Sequence, residues 1–356
     1  MKIAYIYPEK LPSKNARSIS VINTACNLAK NIDVTLIYEK SDKNIKKFYN
    51  IECNQLKFLS LKRNVLFLRS NKIFNFNLLK YLNKFDFFYV RHLKTAEFLL
   101  KKNKNVIYEV HEIFSINNPK IKTIEKFVLE NTYLTCINET LCNEIKKHFN
   151  IKIYKVIHNG TNFSKSYIKK DFSKIDEAYY IGNFYKWKGV DFLINSFNRL
   201  NLNLNIIGDG NRKEILEKKA DTNIKFLGFK SQQKVEEILK KAKLTIIPNI
   251  DSKYTNFTAP LKLYEYLATS NIVLASDLPT IKEIIKDGIN GFLFKRGDRN
   301  DFINKLNYIL SLPEKKLSEI SKNAYETSKR FTWDNRAKQI VEFIKEINEK
   351  NNIPSS

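Results

Sequence analysis

Short apolar runs alternate with longer amphipathic stretches along the whole chain. In the first half, apolar runs typical of buried strands cover residues 3–7, 34–38, 56–61, 87–90, 106–110 and 133–137. Helical periodicity occupies intervals that include residues 19–30, 121–130 and 141–149. Strands that alternate with helices in this way predict a mostly parallel sheet with helices on both faces.

The second half repeats the alternation after a polar interruption. Its apolar runs cover residues 179–182, 204–207, 224–227, 244–248, 272–275 and 291–294. Between the halves, residues 158–178 are polar, lack sustained periodicity and begin with the Asn159–Gly160 turn signal. We therefore predict an α/β protein with two doubly wound, Rossmann-like domains, over residues 1–160 and 178–332, joined by a linker over 161–177. They are expected to face each other across a cleft, with ligands at the carboxyl ends of the strands.

The glycines are distributed unevenly. All nine lie at or beyond Gly160. A dinucleotide-binding GxGxxG loop or a Walker loop after the first strand requires glycines that the first half lacks. Both classes of nucleotide site are excluded there.

The chain is strongly basic, with a formal net charge of +25. This charge favours an anionic partner, which includes nucleic acid, a membrane surface or a phosphorylated small molecule. Only ten of the 62 basic residues are arginines. Base-edge recognition favours the planar donors of arginine, so we predict no nucleic-acid partner.

The hydropathy of the chain and the spacing of its cysteines predict its compartment and the state of its thiols. No stretch reaches the roughly 18 apolar residues of a membrane span, and the amino-terminal residues read as a strand and not as a signal peptide. A cytoplasmic location is expected. The four cysteines stand singly, without CxxC spacing, and are expected to be buried thiols: Cys26, Cys53, Cys136 and Cys142.

One lysine lies where a strand passes through a loop into a helix. The segment reads YIGNFYKWKGVDFLI, and the predicted helix begins after Gly189. Lys188 would then stand beside the unpaired amides of a helix start, which is a favourable place for a phosphate. A solvated surface lysine is the alternative for this segment taken alone.

The order of motifs in the second half resembles that of a known family. The segments are YIGNFYKWKG, IIGDGNRKEILEKKA, IKFLGF, AKLTIIPN, APLKLYEYLA, IVLASDLPTIKEII and KDGINGFLF. They resemble successive signatures of family-four retaining glycosyltransferases, also described as group 1, which have the GT-B fold. The last segment, FTWDNRAKQIVEFIKEI, resembles the terminal helices that cross back to the first domain in this family, so residues 333–356 are assigned that role.

The resemblance implies roles for individual residues. Glu265 matches the glutamate that binds the donor ribose, and Lys188 matches the lysine that binds the diphosphate. His111 matches a histidine of the first domain that lies against the donor sugar and is the predicted catalytic residue; the alternative is an interdomain histidine with no chemical role. The backbone amides expected to meet the phosphates and the sugar are those of Thr258, Ala259, Leu261 and Lys262.

Three positions depart from the family pattern. Phe257 stands where a further glutamate is common, and Asn183 stands where an arginine often follows the glycine of the phosphate loop. The segment SKNARS replaces the glycine pair that is usual after the first strand. Asn183 is still assigned to the donor site, and Arg17 and Lys186 are candidates to supply the missing positive charge.

The expected chemistry needs neither metal nor cofactor. No two aspartates stand two residues apart, so the DxD pair that holds a divalent ion in other glycosyltransferases is missing. Fixed lysine, amide and helix-dipole charges are expected to meet the leaving diphosphate instead. The resemblance implies retention at the anomeric carbon, with a UDP-sugar or GDP-sugar as donor, and no general base is assigned.

The acceptor was predicted from a basic segment. Residues 40–84 contain eleven Lys or Arg against two acids, interleaved with Phe58, Phe67, Phe74, Phe76 and Tyr81. This segment predicts peripheral contact with the anionic inner face of the cytoplasmic membrane and a glycan or lipid-phosphate-linked acceptor, as in cell-surface polysaccharide or lipooligosaccharide synthesis. The alternative is a solvated helix face. A catalytically silent sugar-nucleotide-binding or scaffold protein and a nucleotide-sugar epimerase stay open as other functions.

Overall fold

The chain forms two compact units. The structure is a computed structural model that describes residues 1–13, 15–41, 43–49, 51–65, 68–198, 200–252 and 255–352. The first unit contains Met1–Gly160 together with Trp333–Ser356, and the second contains Thr161–Thr332.

The first unit is built on a parallel sheet. Its strands are β1 (Lys2–Lys10), β2 (Asp33–Glu39), β3 (Lys57–Leu61), β4 (Asn64–Val65), β5 (Leu68–Arg69), β6 (Phe87–Val90), β7 (Val106–Val110), β8 (Tyr133–Cys136) and β9 (Ile153–Val156). Seven of these strands, as far as the chain is described, pair in the order β3-β2-β1-β6-β7-β8-β9, and every neighbouring pair is parallel. The strands β4 and β5 form a separate antiparallel pair.

Helices follow most of these strands. They are α1 (Ala16–Ala29), α2 (Ile45–Tyr49), α3 (Asn71–Leu78), α4 (Leu93–Leu100), α5 (Phe114–Asn117), α6 (Lys122–Asn131) and α7 (Glu139–His148), with 3-10 turns at Leu79–Lys84 and Pro119–Ile121. The start of α1 is fixed by Asn15, whose side chain accepts a hydrogen bond from the amide of Ser18. The apolar face of α1 lies in the core with the residues of β1 and β2.

The second unit repeats this design. Its strands are β10 (Glu177–Ile181), β11 (Asn203–Ile207), β12 (Ile224–Gly228), β13 (Leu244–Ile247), β14 (Ile272–Ser276) and β15 (Phe292–Phe294). In the part of the chain that the structure describes, they form a six-stranded parallel sheet in the order β12-β11-β10-β13-β14-β15. Its helices are α8 (Val190–Phe197), α9 (Lys213–Glu217), α10 (Gln232–Lys241), α11 (Leu261–Ala268), α12 (Pro279–Lys282), α13 (Arg299–Ser311) and α14 (Glu314–Ser328), with a 3-10 turn at Lys186–Lys188.

The last helix, α15 (Trp333–Asn352), belongs to the first unit. Ala337, Ile340 and Ile344 are fully buried in the core that also contains Val21 and Ala25 of α1. The chain therefore leaves the first unit at residue 160 and returns to it at residue 333, as expected for the final helix. Residues 161–177, predicted as a linker, are part of the second unit, where Phe163, Lys170 and Phe172 are buried.

Each sheet has one point where the strand order reverses direction. In the first unit, β1 lies between β2 and β6, and in the second unit β10 lies between β11 and β13. The crevice outside the strand ends at such a point is the usual ligand site of a doubly wound sheet. The two doubly wound α/β domains of the sequence prediction are confirmed.

The prediction of four thiols was wrong for one pair. Cys26 on α1 and Cys53 in the loop before β3 form a disulfide, with their Cα atoms 5.5 Å apart. A separation of 27 residues carries no local spacing signal, and only the fold brings these two residues together in one core. Cys136 and Cys142 are buried thiols.

Across the described ranges, none of the helices combines the length and the hydropathy that a bilayer crossing requires.

Candidate functional site

The loops that follow β10 and β13 lie directly against each other at the reversal point of the second sheet. Gly189 has a φ of 74°, and a Cβ placed on it would lie 1.7 Å from the carbonyl oxygen of Pro248. The amide of Ile250 donates to the carbonyl of Trp187 over 3.2 Å. Only glycine allows this close approach, so Gly189 fixes the loop that carries Lys188.

Lys188 lies at the position predicted for it, immediately before the N-cap of α8. Its side chain is partly exposed, and its Nζ lies 3.9 Å from the centroid of the Trp187 ring. Burial lowers the pKa of Lys188 to about 7, because desolvation disfavours the charged form.

Lys262 occupies the first turn of α11, and its side chain is buried. Its Nζ lies 3.9 Å from the centroid of the Tyr180 ring and has no hydrogen-bond partner among the described residues. A Cβ on Gly182 would lie 2.7 Å from this ammonium. Burial, and next the charge of Lys188, hold the pKa of Lys262 well below its ordinary value, whereas Glu265 raises it. Lys262 therefore lies against Gly182, at the start of the loop that carries Lys188, and one helical turn before Glu265 on α11.

Glu265 is partly exposed and lies one turn further along α11. Burial raises the pKa of Glu265 to about 7, against the effect of a hydrogen bond from Gln232 and the charge of Lys262. The Gln232 side-chain amide donates to Oε1 of Glu265 over 3.5 Å. Gln232 is the first residue of α10, and nothing in the sequence connected it with Glu265, since the two residues lie on different helices.

The start of α11 differs in detail from the expectation. Pro260 is the N-cap with extended backbone, and α11 begins at Leu261. The amides of Leu261 and Lys262 are therefore the first of the helix, where no acceptor exists within the helix. The Thr258 amide, predicted to face the donor, donates to the carbonyl oxygen of Thr255 over 3.2 Å. Ala259 precedes the cap and is partly buried.

Two polar side chains at the same sheet edge were missed by the sequence prediction. Asn249 follows β13 and is fully buried, and neither its amide nitrogen nor its carbonyl oxygen has a hydrogen-bond partner in the described residues. Ser276 ends β14, and its buried Oγ is equally unpaired within those ranges. A buried polar group without a partner costs about 1–3 kcal/mol. Both residues lie at the carboxyl ends of the neighbouring strands β13 and β14, where a doubly wound sheet receives its ligands.

Asn183 and Lys186 lie in the loop after β10 and are exposed. The carbonyl oxygen of Asn183 accepts a hydrogen bond from the Tyr180 hydroxyl over 3.0 Å. The structure thus brings Lys188, Lys262 and Glu265 together in the second unit.

His111 and Arg17 belong to the first unit. Arg17 is half-exposed and forms an ion pair with Glu9 over 3.1 Å. His111 follows β7, and its Nε2 lies 2.5 Å from Oε1 of the buried Glu109. Burial, and next the charge of Arg91, lower the pKa of His111 to about 4, although Glu109 acts in the opposite direction.

Glu109 is itself held by several groups. Arg336 of α15 lies 3.0 Å from its carboxylate, and Arg91 lies 3.8 Å away. The Tyr5 hydroxyl donates to Oε2 over 3.4 Å. Burial alone would raise the pKa of Glu109, but Arg336, Arg91 and His111 hold it well below its ordinary value.

The basic segment over residues 40–84 is divided between interior and surface. Phe74 is fully buried, whereas Phe76 is 74% exposed and Leu79 is 38% exposed. Arg69 forms an ion pair with the buried Glu39 over 2.5 Å, while Lys80 and Lys84 each lie over the Tyr81 ring at 5.2 Å. Phe67 lies outside the described residues. Exposed apolar and basic side chains lie on α3 and the 3-10 turn that follows it, and also on α2, where Phe48 is 41% exposed next to Lys46 and Lys47.

Within the described ranges, no group of three or more His, Cys, Asp or Glu side chains is arranged to hold a metal ion.

Comparison with known proteins places the second unit in a family. Residues 166–327 match the family described as glycosyl transferases group 1. The second unit is a group 1 glycosyltransferase domain. The resemblance proposed from the order of its motifs is confirmed, and the matched residues fall entirely within the unit that carries Lys188, Lys262 and Glu265.

Relatives and solved structures extend this result to the fold. An uncharacterised glycosyltransferase of Methanocaldococcus jannaschii is 26% identical over 223 residues, which is 61% of this chain and 61% of the relative. HepE of Anabaena, solved with UDP-glucose, superposes with a TM-score of 0.79 at 17% identity, over 97% of this chain and 100% of that one. The apo form of WaaB, a lipopolysaccharide outer core galactosyltransferase, gives a TM-score of 0.74 at 18% identity, over 97% and 99%. The predicted GT-B fold is confirmed.

Proposed function

We propose that this protein is a retaining glycosyltransferase that moves a sugar from a UDP-sugar or GDP-sugar to a glycan or lipid-linked acceptor. The observation that carries this proposal is the buried ammonium of Lys262, which lacks a hydrogen-bond partner among the described residues and shares its site with Lys188 and Glu265. Two cations beside a helix start fit a diphosphate, and a carboxylate one turn away fits the hydroxyl groups of a ribose. The family match at residues 166–327 supports the same chemistry.

The reaction breaks the bond between the anomeric carbon of the donor and the phosphate oxygen. The acceptor oxygen forms a new bond to that carbon, and the acceptor proton passes to the leaving phosphate. Negative charge grows on the diphosphate during this step, and Lys188, Lys262 and the first amides of α11 are placed to stabilise it. The absence of a DxD pair from the sequence supports metal-independent transfer.

His111 is proposed to lie against the donor sugar, as its resemblance implies. Since its pKa is lowered to about 4, the imidazole is neutral at pH 7. A neutral ring next to an electron-poor anomeric carbon adds no positive charge that would oppose the transition state.

The acceptor is proposed to be lipid-linked and to belong to cell-surface polysaccharide or lipooligosaccharide synthesis. Support comes from the exposed Phe76 and Leu79 beside Lys80 and Lys84, an arrangement that suits a membrane surface with anionic lipids. The structural similarity to WaaB is consistent with such an acceptor. A location at the inner face of the cytoplasmic membrane follows from this proposal.

A panel of nucleotide sugars tests the function directly. We expect one UDP-sugar or GDP-sugar to raise the melting temperature, because a ligand that binds only the folded state stabilises it. The same donor should release its nucleoside diphosphate in the presence of EDTA when a polyprenyl-diphosphate-linked sugar is added. Donor binding without release with any lipid-linked sugar would favour a silent binding protein, and a new nucleotide sugar formed from donor alone would favour an epimerase. Activity restored only by magnesium or manganese would contradict metal independence.

A further inference from the structure

Two lysine side chains in the second unit rest on aromatic rings instead of pairing with carboxylates. Lys188 lies over Trp187 and Lys262 lies over Tyr180, with each Nζ 3.9 Å from its ring centroid. In the described part of the chain neither ammonium forms an ion pair, and that of Lys262 has no hydrogen-bond acceptor. A ring face attracts a cation without cancelling its charge. Neither Nζ is therefore neutralised by a carboxylate of the described residues, and both are available to a ligand.

Another buried lysine of the same unit shows what a structural lysine looks like. Lys170 donates to the carbonyl oxygens of Leu239 and Ala242 at the end of α10 and to the side-chain oxygen of Asn271, the last over 2.7 Å. All three of its donors are used within the protein. Lys262 has no such acceptors, and its burial therefore has no comparable structural explanation.

The two rings are themselves held in place. The Tyr180 hydroxyl donates to the carbonyl oxygen of Asn183 over 3.0 Å, and the ring is fully buried. Trp187 stacks on Tyr185 with 6.2 Å between ring centroids and 6° between ring planes. Its carbonyl oxygen also accepts the amide of Ile250. Burial and the hydroxyl hydrogen bond hold the Tyr180 ring in place, and stacking on Tyr185 orients the Trp187 ring.

We propose that Lys188 and Lys262 together form a two-ammonium site for a diphosphate, and that Trp187 and Tyr180 are positioning residues that hold the ammoniums without neutralising them. This inference rests on the proposed function and extends it. It adds the role of the two rings, which the proposed function does not assign.

A diphosphate matches this arrangement in number and in charge. It offers two phosphoryl groups to two ammoniums, and cleavage of the sugar–phosphate bond adds a further negative charge. Burial and the neighbouring Lys188 hold the pKa of Lys262 well below its ordinary value, and a bound anion acts in the opposite direction. Charge that is unfavourable in the free protein thus becomes favourable with the ligand.

The first test measures the affinity for inorganic pyrophosphate and for UDP and GDP by titration calorimetry. Lys262→Met and Lys188→Met should each weaken pyrophosphate binding by about 10- to 100-fold, because each removes a charge-assisted contact. Lys225→Met removes the same charge from an exposed position on β12 and should bind as the wild type does. Melting temperatures measured without ligand identify any variant that fails to fold.

The second test concerns the rings. Tyr180→Phe keeps the ring but loses the hydroxyl, and Tyr180→Leu loses the ring; Trp187→Phe and Trp187→Leu form the matching pair. The Phe variants should bind pyrophosphate within about threefold of the wild type, and the Leu variants should lose about 5- to 20-fold. In protein labelled with ¹³C at lysine Cε, the Lys188 and Lys262 signals should show ring-current shifts. These shifts should persist in the Phe variants and vanish in the Leu variants, an effect that a merely structural role would not produce.

Three results would each contradict a different claim: the role of the Lys262 ammonium, the positioning role of the rings, or the proposed function itself. If Lys262→Met binds pyrophosphate like the wild type while Lys188→Met does not, Lys188 remains part of the donor site and the role given to the Lys262 ammonium is wrong. If the Leu variants retain both the ring-current shifts and the affinity, the positioning role is wrong. If the wild type binds none of pyrophosphate, UDP and GDP, the proposed function fails together with this inference.

Discussion

The two units bury charge in opposite ways. In the first unit, the carboxylate of Glu109 is surrounded by Arg336, Arg91 and His111 and accepts a hydrogen bond from Tyr5. In the second unit, the ammonium of Lys262 lies against the Tyr180 ring and has no hydrogen-bond partner among the described residues. A buried charge that is fully paired fixes the structure around it, whereas an unpaired one costs stability. The charge of Glu109 is therefore balanced within the protein, whereas the ammonium of Lys262 is placed to bind a ligand.

The largest effect is expected from breaking the paired cluster. Arg336→Met leaves Glu109 buried without its nearest arginine, and it also removes the hydrogen bonds that Arg336 donates to the carbonyl oxygens of Ile157 and His158. We expect a loss of about 3–5 kcal/mol in the free energy of unfolding, measured by urea denaturation.

The control for this prediction lies on the same helix. Lys338 pairs with Asp334 over 2.8 Å, and both side chains are exposed. Lys338→Met should change the stability by less than about 0.5 kcal/mol. Equal losses in the two variants would mean that the Glu109 cluster stabilises no more than a surface ion pair.

The opposite sign is expected for the unpaired charge. Lys262→Met replaces a buried ammonium with an apolar chain of similar length, so the ligand-free protein should become more stable by about 1–2 kcal/mol. Pyrophosphate should then stabilise the variant less than the wild type. A decrease in stability without ligand would show that Lys262 is a structural residue and would remove the contrast between the two units.

Most strands could be predicted from the sequence because each strand of a doubly covered parallel sheet is an apolar run. It did not reveal β9, whose residues Ile153–Val156 are only partly buried at the sheet edge. Site residues could be predicted where their positions depend on nearby sequence alone. Lys188 precedes a helix start, and Glu265 lies one turn inside α11. The partners of these residues come from other elements. Gln232 meets Glu265 only in the fold, as Arg336 meets Glu109 and Cys26 meets Cys53.

The pH dependence of pyrophosphate binding tests whether Lys188 gains and loses a proton in the site. The pKa of Lys188 is lowered to about 7 by burial, so the free protein loses this charge as the pH rises through 7. Pyrophosphate favours the charged form, and its binding must therefore take up a proton above pH 7. The affinity should fall by up to about tenfold for each pH unit above 7. The charged groups that share the site are Lys262 and Glu265.

Comparison of ligands separates the two titrating residues. Glu265 has a pKa raised to about 7 by burial, so below pH 7 it becomes a neutral acid. Below pH 7 a nucleoside diphosphate, which also presents a ribose, should therefore lose affinity relative to pyrophosphate, which makes no ribose contact. Lys188→Met should abolish the loss above pH 7. A flat profile for the wild type between pH 6 and 9 would contradict a titrating lysine in the site.

The smallest effect is expected at the surface of the first unit, where some basic side chains lie over an aromatic ring and another pairs with a carboxylate. Lys80 and Lys84 lie over Tyr81, beside the exposed Phe76, whereas Arg69 is occupied by Glu39. If the first two lysines meet anionic lipid, each contributes up to about 1 kcal/mol to adsorption. The double variant Lys80→Glu with Lys84→Glu should therefore bind phosphatidylglycerol liposomes at least tenfold more weakly in a flotation assay, and about 0.5 M salt should release the wild type through screening.

Reversal of two exposed lysines on α14, Lys315→Glu with Lys322→Glu, changes the net charge equally and should leave most of the adsorption intact. Similar losses in both double variants would mean that the surface responds only to total charge, and a soluble acceptor would then replace the lipid-linked one in the proposed function.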